Sequence, residues 1–435
     1  MPARLLYRTT LFVFCLTLIA SVGRINAQDF ELKADGQNHW YKGNMHTHTL
    51  WSDGDEYPEM VARWYKEHGY QFLVFTDHNT LHNKERWIKA AKSKGGLKAL
   101  ETLKAAWPQG WVETRGEGEE LEVRLKTFDE VYPKVAVPQE YILIQGEEIT
   151  DSFTKRPVHM CATNTKELLP PTGGESITDV IQRNMEAAIS RRERTGVKTL
   201  VHLNHPNFGY AVTAEQLMKV AAENFFEVYN GHPSVHNFGD ETHASTERMW
   251  DIINTFRLSK LNYPIMYGLG TDDGHNYFEK TPGKAAQPGR GWVVVLAETL
   301  EPDALVESLE AGRFYASSGV RLERVASKGG RFEVQVAVEE GVTYRIDFIG
   351  TCKGFDENSA PASDDPAKAD TLTRRYSNDI GKVLKSVDGP SARYELTGEE
   401  LYVRAVVTSS RLHPNPSEAG EFERAWIQPL VPGSK

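Results

Sequence analysis

Tyr70-Gln-Phe-Leu-Val-Phe-Thr76 is a nearly continuous apolar run, and it stops on Asp77-His78-Asn79. A strand with no polar face is one covered on both sides, as in the parallel sheets of α/β proteins. Similar runs recur at Tyr141–Ile144, Thr199–Leu203, Phe225–Tyr229, Ile265–Leu269 and Trp292–Leu296. Helical stretches alternate with them at Pro58–His68, Ser176–Arg194, Ala214–Glu223, Ser245–Leu258 and Asp303–Ala311. Repeated β-α units from Asn44 to about Val320 predict an α/β fold, either a parallel barrel or a doubly wound sheet.

Residues 82–140 interrupt the rhythm. They are rich in Lys and Glu, with a helical stretch near Glu85–Ala106 and glycine-marked loops at 108–118, and they read as an insertion covering one face. Beyond about residue 320 the period changes to two. Phe332-Glu-Val-Gln-Val-Ala-Val338 alternates, Thr343–Ile349 and Leu401–Val407 are further strands, and 353–372 reads as a loop. Residues 321–435 therefore predict a small C-terminal β domain of sandwich type, after a 28–320 catalytic region.

The chain carries 50 basic and 60 acidic residues. Net acidity is a poor match for long nucleic acid, where phosphate contacts supply most of the affinity. With 40% hydrophobic and 25% charged residues, the chain is neither wholly disordered nor a polytopic membrane protein. Arg4 and Arg8 precede an apolar run, Leu11–Val22, and Ile25-Asn26-Ala27 suits cleavage. Residues 1–27 thus read as a signal peptide, with an N-terminal anchor as the alternative. Export would place the protein in a periplasmic or extracellular space with no stable membrane span. It would leave Cys161 and Cys352, which could pair there.

Polar donors recur where the apolar runs end. His46-Thr-His48 presents two imidazoles on one face of an extended segment, and Asp53-Gly54 follows. Asp77-His78 ends one strand, Gly146-Glu147-Glu148 another, and His205-Pro206 and Asp272-Asp273-Gly-His275 two more; His159 lies in Val158–Thr163. Carboxyl ends of strands face the active site in parallel β/α folds. Acids and histidines repeated there predict a multinuclear metal site. Imidazole and carboxylate suit Zn, Mn or Fe. Adjacent divalent ions lower the pKa of water and supply hydroxide near neutral pH.

In this order, His46-Thr-His48, Ser52-Asp-Gly54, Thr76-Asp-His78, Gly146-Glu-Glu148, His205-Pro206 and Asp273-Gly-His275 resemble the motifs of the PHP (polymerase and histidinol phosphatase) superfamily. Phe226-Glu-Val-Tyr-Asn-Gly231, Pro288-Gly-Arg-Gly-Trp292, Gly312-Arg-Phe-Tyr315 and Ala425-Trp-Ile-Gln-Pro429 resemble a secreted branch that includes carbaryl hydrolases. The resemblance implies a distorted (β/α)7 barrel with two or three divalent metal ions. It makes His46, His48 and Asp273 ligands of a first metal and Glu148 a bridge. Asp53, His78 and His275 would serve a second, and His159 and His205 with Glu148 a third position. Asp53 and Arg290 are the catalytic candidates. Arg290, between Gly289 and Gly291, either holds a substrate phosphate in a bidentate fork or clamps a loop. Glu147 and Asp272 compete with their neighbours as ligands.

Other polar residues are assigned more modestly. His202 reads as a core histidine or one behind the ligands. Glu227 and Asn230 are expected to line the pocket, and His232 and His236 to form its rim or face solvent. Cys161 is expected to be a small buried hydrophobe. The expected function is hydrolysis of a small phosphoester by metal-activated hydroxide. A carbamate or carboxylic ester hydrolase would use the same ligands. A non-catalytic exported binding protein is the alternative of another class.

Overall fold

The computed structural model describes residues 29–222, 224–278 and 283–433. The expected signal segment, 1–27, lies outside the described residues. Among the described residues no helix is long and apolar enough to cross a membrane.

One mixed sheet of thirteen strands organises the molecule. In chain order its strands are β1 His39–Asn44, β2 Phe72–Phe75, β3 Ile142–Phe153, β4 Arg156–Thr163, β5 Leu200–Leu203, β6 Phe225–Asn230, β7 Tyr267–Thr271, β8 Trp292–Ala297, β9 Phe314–Ser317, β10 Tyr344–Cys352, β11 Lys382–Asp388, β12 Glu400–Leu412 and β13 Phe422–Leu430. Their spatial order is β7-β6-β5-β4-β3-β2-β1-β8-β9-β13-β12-β10-β11. Helices are α1 Pro58–Glu67, α2 Gly96–Ala106, α3 Phe128–Val135, α4 Ile177–Thr195, α5 Ala214–Leu217, α6 Thr246–Phe256 and α7 Pro302–Glu310. The opening stretch forms β2, whose four residues are all buried, between parallel neighbours β1 and β3.

The all-parallel expectation needs correction at β3–β4–β5, which pair antiparallel. Thr154 and Lys155 both take positive φ, +48° and +68°, and close a two-residue hairpin between β3 and β4. Such turns match the twist of antiparallel strands. β3 also runs on beyond Ile144. It pairs with β2 through Gln145, then with β4 from Gly146 onward.

The expected (β/α)7 barrel is not closed by backbone pairing. β7 is the last strand on its side of the sheet, and its edge is met by a side chain. The Gln428 amide on β13 accepts from Gly268 N at 2.9 Å and donates to Gly268 O at 2.8 Å. The sheet curls enough to bring Gly270 against Trp292, where a Cβ would sit 3.0 Å from the Trp292 carbonyl oxygen.

The sheet also continues across residue 320. β9 pairs with β13, and β12, β10 and β11 follow. A second, four-stranded sheet of Phe30–Lys33, Leu322–Lys328, Arg331–Val336 and Ser391–Glu395 packs on this extension. Phe332, Val334 and Val336 share a core with Ile346, Phe348, Val403 and Ala405. This is the sandwich layer, with one strand supplied from the N-terminal end of the described chain. Trp426 stacks on Tyr229 at 5.1 Å. Buried Arg404 holds Asp251 on α6 with Nε and Nη2 at 2.7 and 2.8 Å.

Within 82–140, the helix expected over Glu85–Ala106 is confined to α2. Trp87–Lys89 instead forms a small sheet with Thr114–Arg115 and Glu122–Arg124. Helix α5 is likewise shorter than expected, and beyond it the Val220 carbonyl accepts from the Arg257 guanidinium at 2.8 Å.

A candidate multinuclear metal centre

Asn44, the last residue of β1, shapes the turn that follows. Its Nδ2 donates to His46 O (3.0 Å) and Thr47 Oγ1 (2.6 Å). The turn is then sewn to β2, as Thr47 N donates to Thr76 Oγ1 at 2.8 Å. Asp77 folds the 48–53 segment back over the strand ends. Its carboxylate accepts from Thr49 N (2.8 Å), Thr49 Oγ1 (2.9 Å) and Ser52 Oγ (2.5 Å). His46 and His48 thereby face each other with their Nε2 atoms 3.1 Å apart.

Two carboxylates meet those imidazoles. Asp273 Oδ1 is 3.3 Å from both Nε2 atoms, and Glu148 lies 3.4 Å from each through its two oxygens. His78 Nδ1 is 2.7 Å, His159 Nδ1 3.1 Å and His205 Nε2 3.5 Å from the same Glu148 carboxylate. Asp53 Oδ1 lies 3.2 Å from His275 Nε2, 3.5 Å from His78 Nε2 and 3.6 Å from His48 Nδ1. Four groups could each hold an ion: His48-Asp53-His78-His275, His46-Glu148-His205, His46-His48-Asp273 and His78-Glu148-His159. All nine expected ligands are thus brought together. His159 and His205, expected to share one position, fall in different groups.

Sequence could not separate the paired acids; strand geometry does. Glu147 and Glu148 are adjacent on β3, so their side chains point to opposite faces. Glu148 turns into the cluster, while Glu147 Oε1 accepts from Leu169 N at 2.6 Å. Asp273 turns inward at a left-handed φ of +50°. Such strained backbone clusters at functional sites. Asp272 instead accepts from Gly289 N, Arg290 N and Gly291 N at 2.9, 2.6 and 2.8 Å. It folds the Gly-Arg-Gly turn.

The donor set fits cations on two counts. Ligand atoms about 2.1 Å from one ion lie about 3.0–3.4 Å from each other, depending on geometry, and the spacings among His46, His48, Asp273 and Glu148, 3.1–3.4 Å, fall there. Glu148 Oε2 is buried and makes no well-directed hydrogen bond; its nearest polar neighbours are imidazole nitrogens, His78 Nδ1 at 2.7 Å and His48 Nε2 at 3.4 Å. A cation held between these nitrogens and the carboxylate would satisfy all of them.

Mutual fields among these side chains are strong. Burial opposes charge on Glu148, yet His78, His46 and His159 hold its carboxyl well below the usual range. Burial likewise opposes charge on His46, yet Asp273 and neighbouring carboxylates lift it well above an ordinary histidine. His78 rises to about 9 against its burial, chiefly through Glu148. His48 falls to about 4 by burial and the His275 charge.

Glu227 was expected only to line the pocket, but it acts behind the ligands. Its Oε1 meets His46 Nδ1 at 2.7 Å, which directs Nε2 to the cluster. Its Oε2 accepts from His205 N (2.7 Å) and Asn230 Nδ2 (2.8 Å). The Asp273 carbonyl does the same for His275 Nδ1 at 2.8 Å. Asn204, which the sequence did not single out, donates to Glu148 Oε1 at 2.7 Å. Nothing but its place before His205 marked it. His202 is fully buried, 3.5 Å from Glu227 Oε1. His232 packs on His275 with ring centres 5.5 Å apart, whereas exposed His236 stacks on Tyr210. Cys161 and Cys352 are free thiols. Burial pushes the Cys161 thiol up to about 12.

Of the two readings of Arg290, its contacts favour the loop clamp. It is fully buried. Its Nη1 donates to Gly231 O (2.8 Å), Nε to Asn415 O (3.2 Å) and Nη2 to Asn415 Oδ1 (3.2 Å). A guanidinium so enclosed clamps the loops at Gly231 and Asn415. Arg290→Ala is expected to lower stability by about 2–4 kcal/mol, because carbonyls are left buried and unpaired. Urea unfolding with metal bound measures it. Selective loss of phosphoester turnover at unchanged stability would restore the substrate role.

Burial pushes the Glu147 carboxyl up to about 8. Folding therefore retains a proton that the unfolded chain releases near its ordinary value of 4.5. The stability from this group is complete below that value and is lost as pH rises toward 8. Glu147→Gln should keep its metal and flatten this slope, leaving the variant about 1–3 kcal/mol more stable at pH 8. Denaturant midpoints at pH 5 and pH 8 test it, and parallel slopes in both proteins would disprove it.

The fold and site define a class: a mixed α/β chain whose strand ends assemble a histidine-carboxylate cluster suited to several divalent cations. No family model and no curated protein matches the sequence. Among solved structures, one similar chain is a two-domain protein from Bacteroides vulgatus described as containing a predicted PHP-like metal-dependent phosphoesterase. It shows 13% identity and a TM-score of 0.39, covering 92% of this chain and 99% of that one. Another, from Bifidobacterium adolescentis, is described as a candidate metal-dependent phosphoesterase. It shows 15% identity and a TM-score of 0.29, covering 55% of this chain and 89% of that one. Likeness at these scores does not bear on what the chain does.

Proposed function

We propose that this chain is an exported metal-dependent hydrolase of the PHP type, acting on small phosphoesters. The observation that carries the reading is the convergence of nine histidines and carboxylates into four overlapping ion-sized groups, two of which share Glu148. Held there, divalent ions supply a water-derived nucleophile near neutral pH and neutralise charge on the attacked centre. The protein does the rest. Glu148 and Asp273 join the groups, Glu227 sets the His46 tautomer, and Asp77 fixes the turn bearing His48 and Asp53. Asp53, with a side chain 44% exposed, marks the side open to substrate.

Export rests on the basic, apolar and small-residue order of residues 1–27. The carbaryl-hydrolase-like branch rests on the motifs around Gly231, Arg290 and Tyr315. A second reading, a carbamate or carboxylic ester hydrolase, gains from the burial of Arg290, which removes a phosphate fork from the site. The test is a panel of phosphomonoesters, phosphodiesters and aryl carbamates on metal-analysed protein lacking residues 1–27. Turnover of carbamates alone would select the second reading. Metal-loaded protein that turns over none would end both.

A further inference from the structure

The insertion at 82–140 brings a cation to the open side of the centre. Lys94 Nζ lies 3.6 Å from Asp53 Oδ2. Among the described residues, no other lysine or arginine is paired with a carboxylate of the cluster. Its backbone position is built. Gly95 packs so closely on the loop carrying Asp53 that a Cβ would sit 2.0 Å from Asp55 O. Gly96 takes a left-handed φ of +59°. Ser93 Oγ accepts from Gly96 N at 3.1 Å and donates to Ala90 O at 2.9 Å. The turn thus packs on the metal-site loop, while the Lys94 side chain is 51% exposed.

An exposed ion pair contributes little to stability, so stability does not account for this arrangement. Charge does. Asp53, Glu148 and Asp273 supply three negative charges and Glu227, behind His46, a fourth, which two divalent ions offset. Loading therefore removes the excess negative charge that holds the ammonium at Asp53, and leaves Lys94 able to meet an anion at the mouth of the centre. A lysine is a compact point charge suited to phosphate oxygens.

We propose that Lys94 recognises a non-bridging phosphoryl oxygen of the substrate at the mouth of the centre, an anion-binding role that the loop-clamping Arg290 leaves open. The inference rests on the phosphoesterase reading and gives it a residue from the chain's own insertion.

The experiment titrates inorganic phosphate into the metal-loaded protein by calorimetry, with Lys94→Ala, Lys94→Arg and Lys94→Glu in parallel and metal content measured in each. Phosphate affinity should fall about ten-fold in Lys94→Ala and further in Lys94→Glu, and should return largely in Lys94→Arg. The difference should shrink with added salt. Turnover of a phosphomonoester should fall by a similar factor, and that of a neutral aryl carbamate by less than about two-fold. Unchanged phosphate affinity in Lys94→Ala, with or without a change in metal content, overturns the role of Lys94 and leaves the phosphoesterase reading standing. No phosphate binding by the wild type overturns both.

Discussion

Glu148→Gln is expected to lose metal and activity together. Glu148 is fully buried among five imidazoles, His46, His48, His78, His159 and His205, and belongs to two of the four ion-sized groups. An amide has no charge to offset two cations and presents one acceptor where the carboxylate presents two. It also places an NH2 group among nitrogens that must themselves act as donors to metal. Metal affinity should fall by at least about 100-fold, and kcat/KM by about a thousand-fold or more. Metal analysis by mass spectrometry after dialysis, beside kinetics at saturating metal, measures both. Retained metal with lost turnover would move Glu148 from ligand to reactant. Loss from Glu147→Gln in its place would put the register off by one residue.

Removing residues 321–435 is expected to abolish folding of the remainder. A separate C-terminal domain could be deleted with the metal site left intact, but the strands do not divide there. Deletion strips β13 from β9 and withdraws the Gln428 amide from Gly268 on the edge of β7. It uncovers Tyr229 beside the ligand-bearing strand ends and leaves Asp251 buried without Arg404. A buried charge deprived of its partner alone costs about 3–5 kcal/mol, close to the whole stability of many domains. Exposed β9 would be an edge open to aggregation. Expression of residues 28–320, read by circular dichroism and size exclusion, should give aggregated or unfolded protein. A soluble, folded product that binds metal would show that the barrel half stands alone. Arg404→Met, which removes the pair without deleting a strand, should lower the melting temperature while metal is retained.

The ligand types and their order were legible in the chain because each lies beside a strong local signal. Apolar runs mark strands whatever they pair with, and His78, His205, Asp273 and His275 sit within a few residues of such a run, whereas His46 and His48 were marked by their own His-x-His spacing. Helices α1, α4, α6 and α7 were legible for the same reason, their apolar spacing being local. Other features depend on partners far along the chain. Strand direction at β3–β4 turned on two residues in the left-handed region. The choice of Glu148 over Glu147 turned on which face of β3 looks inward, set by pairing with β4. Arg290 looked like a substrate contact because its glycine neighbours are visible in sequence, whereas Asn415, which encloses it, lies 125 residues away. The run of strands across residue 320 has the same origin. A change of hydrophobic period marks where one kind of element gives way to another, but hydrogen bonds between β9 and β13 decide whether a sheet stops there, and those form only once the chain has folded back on itself.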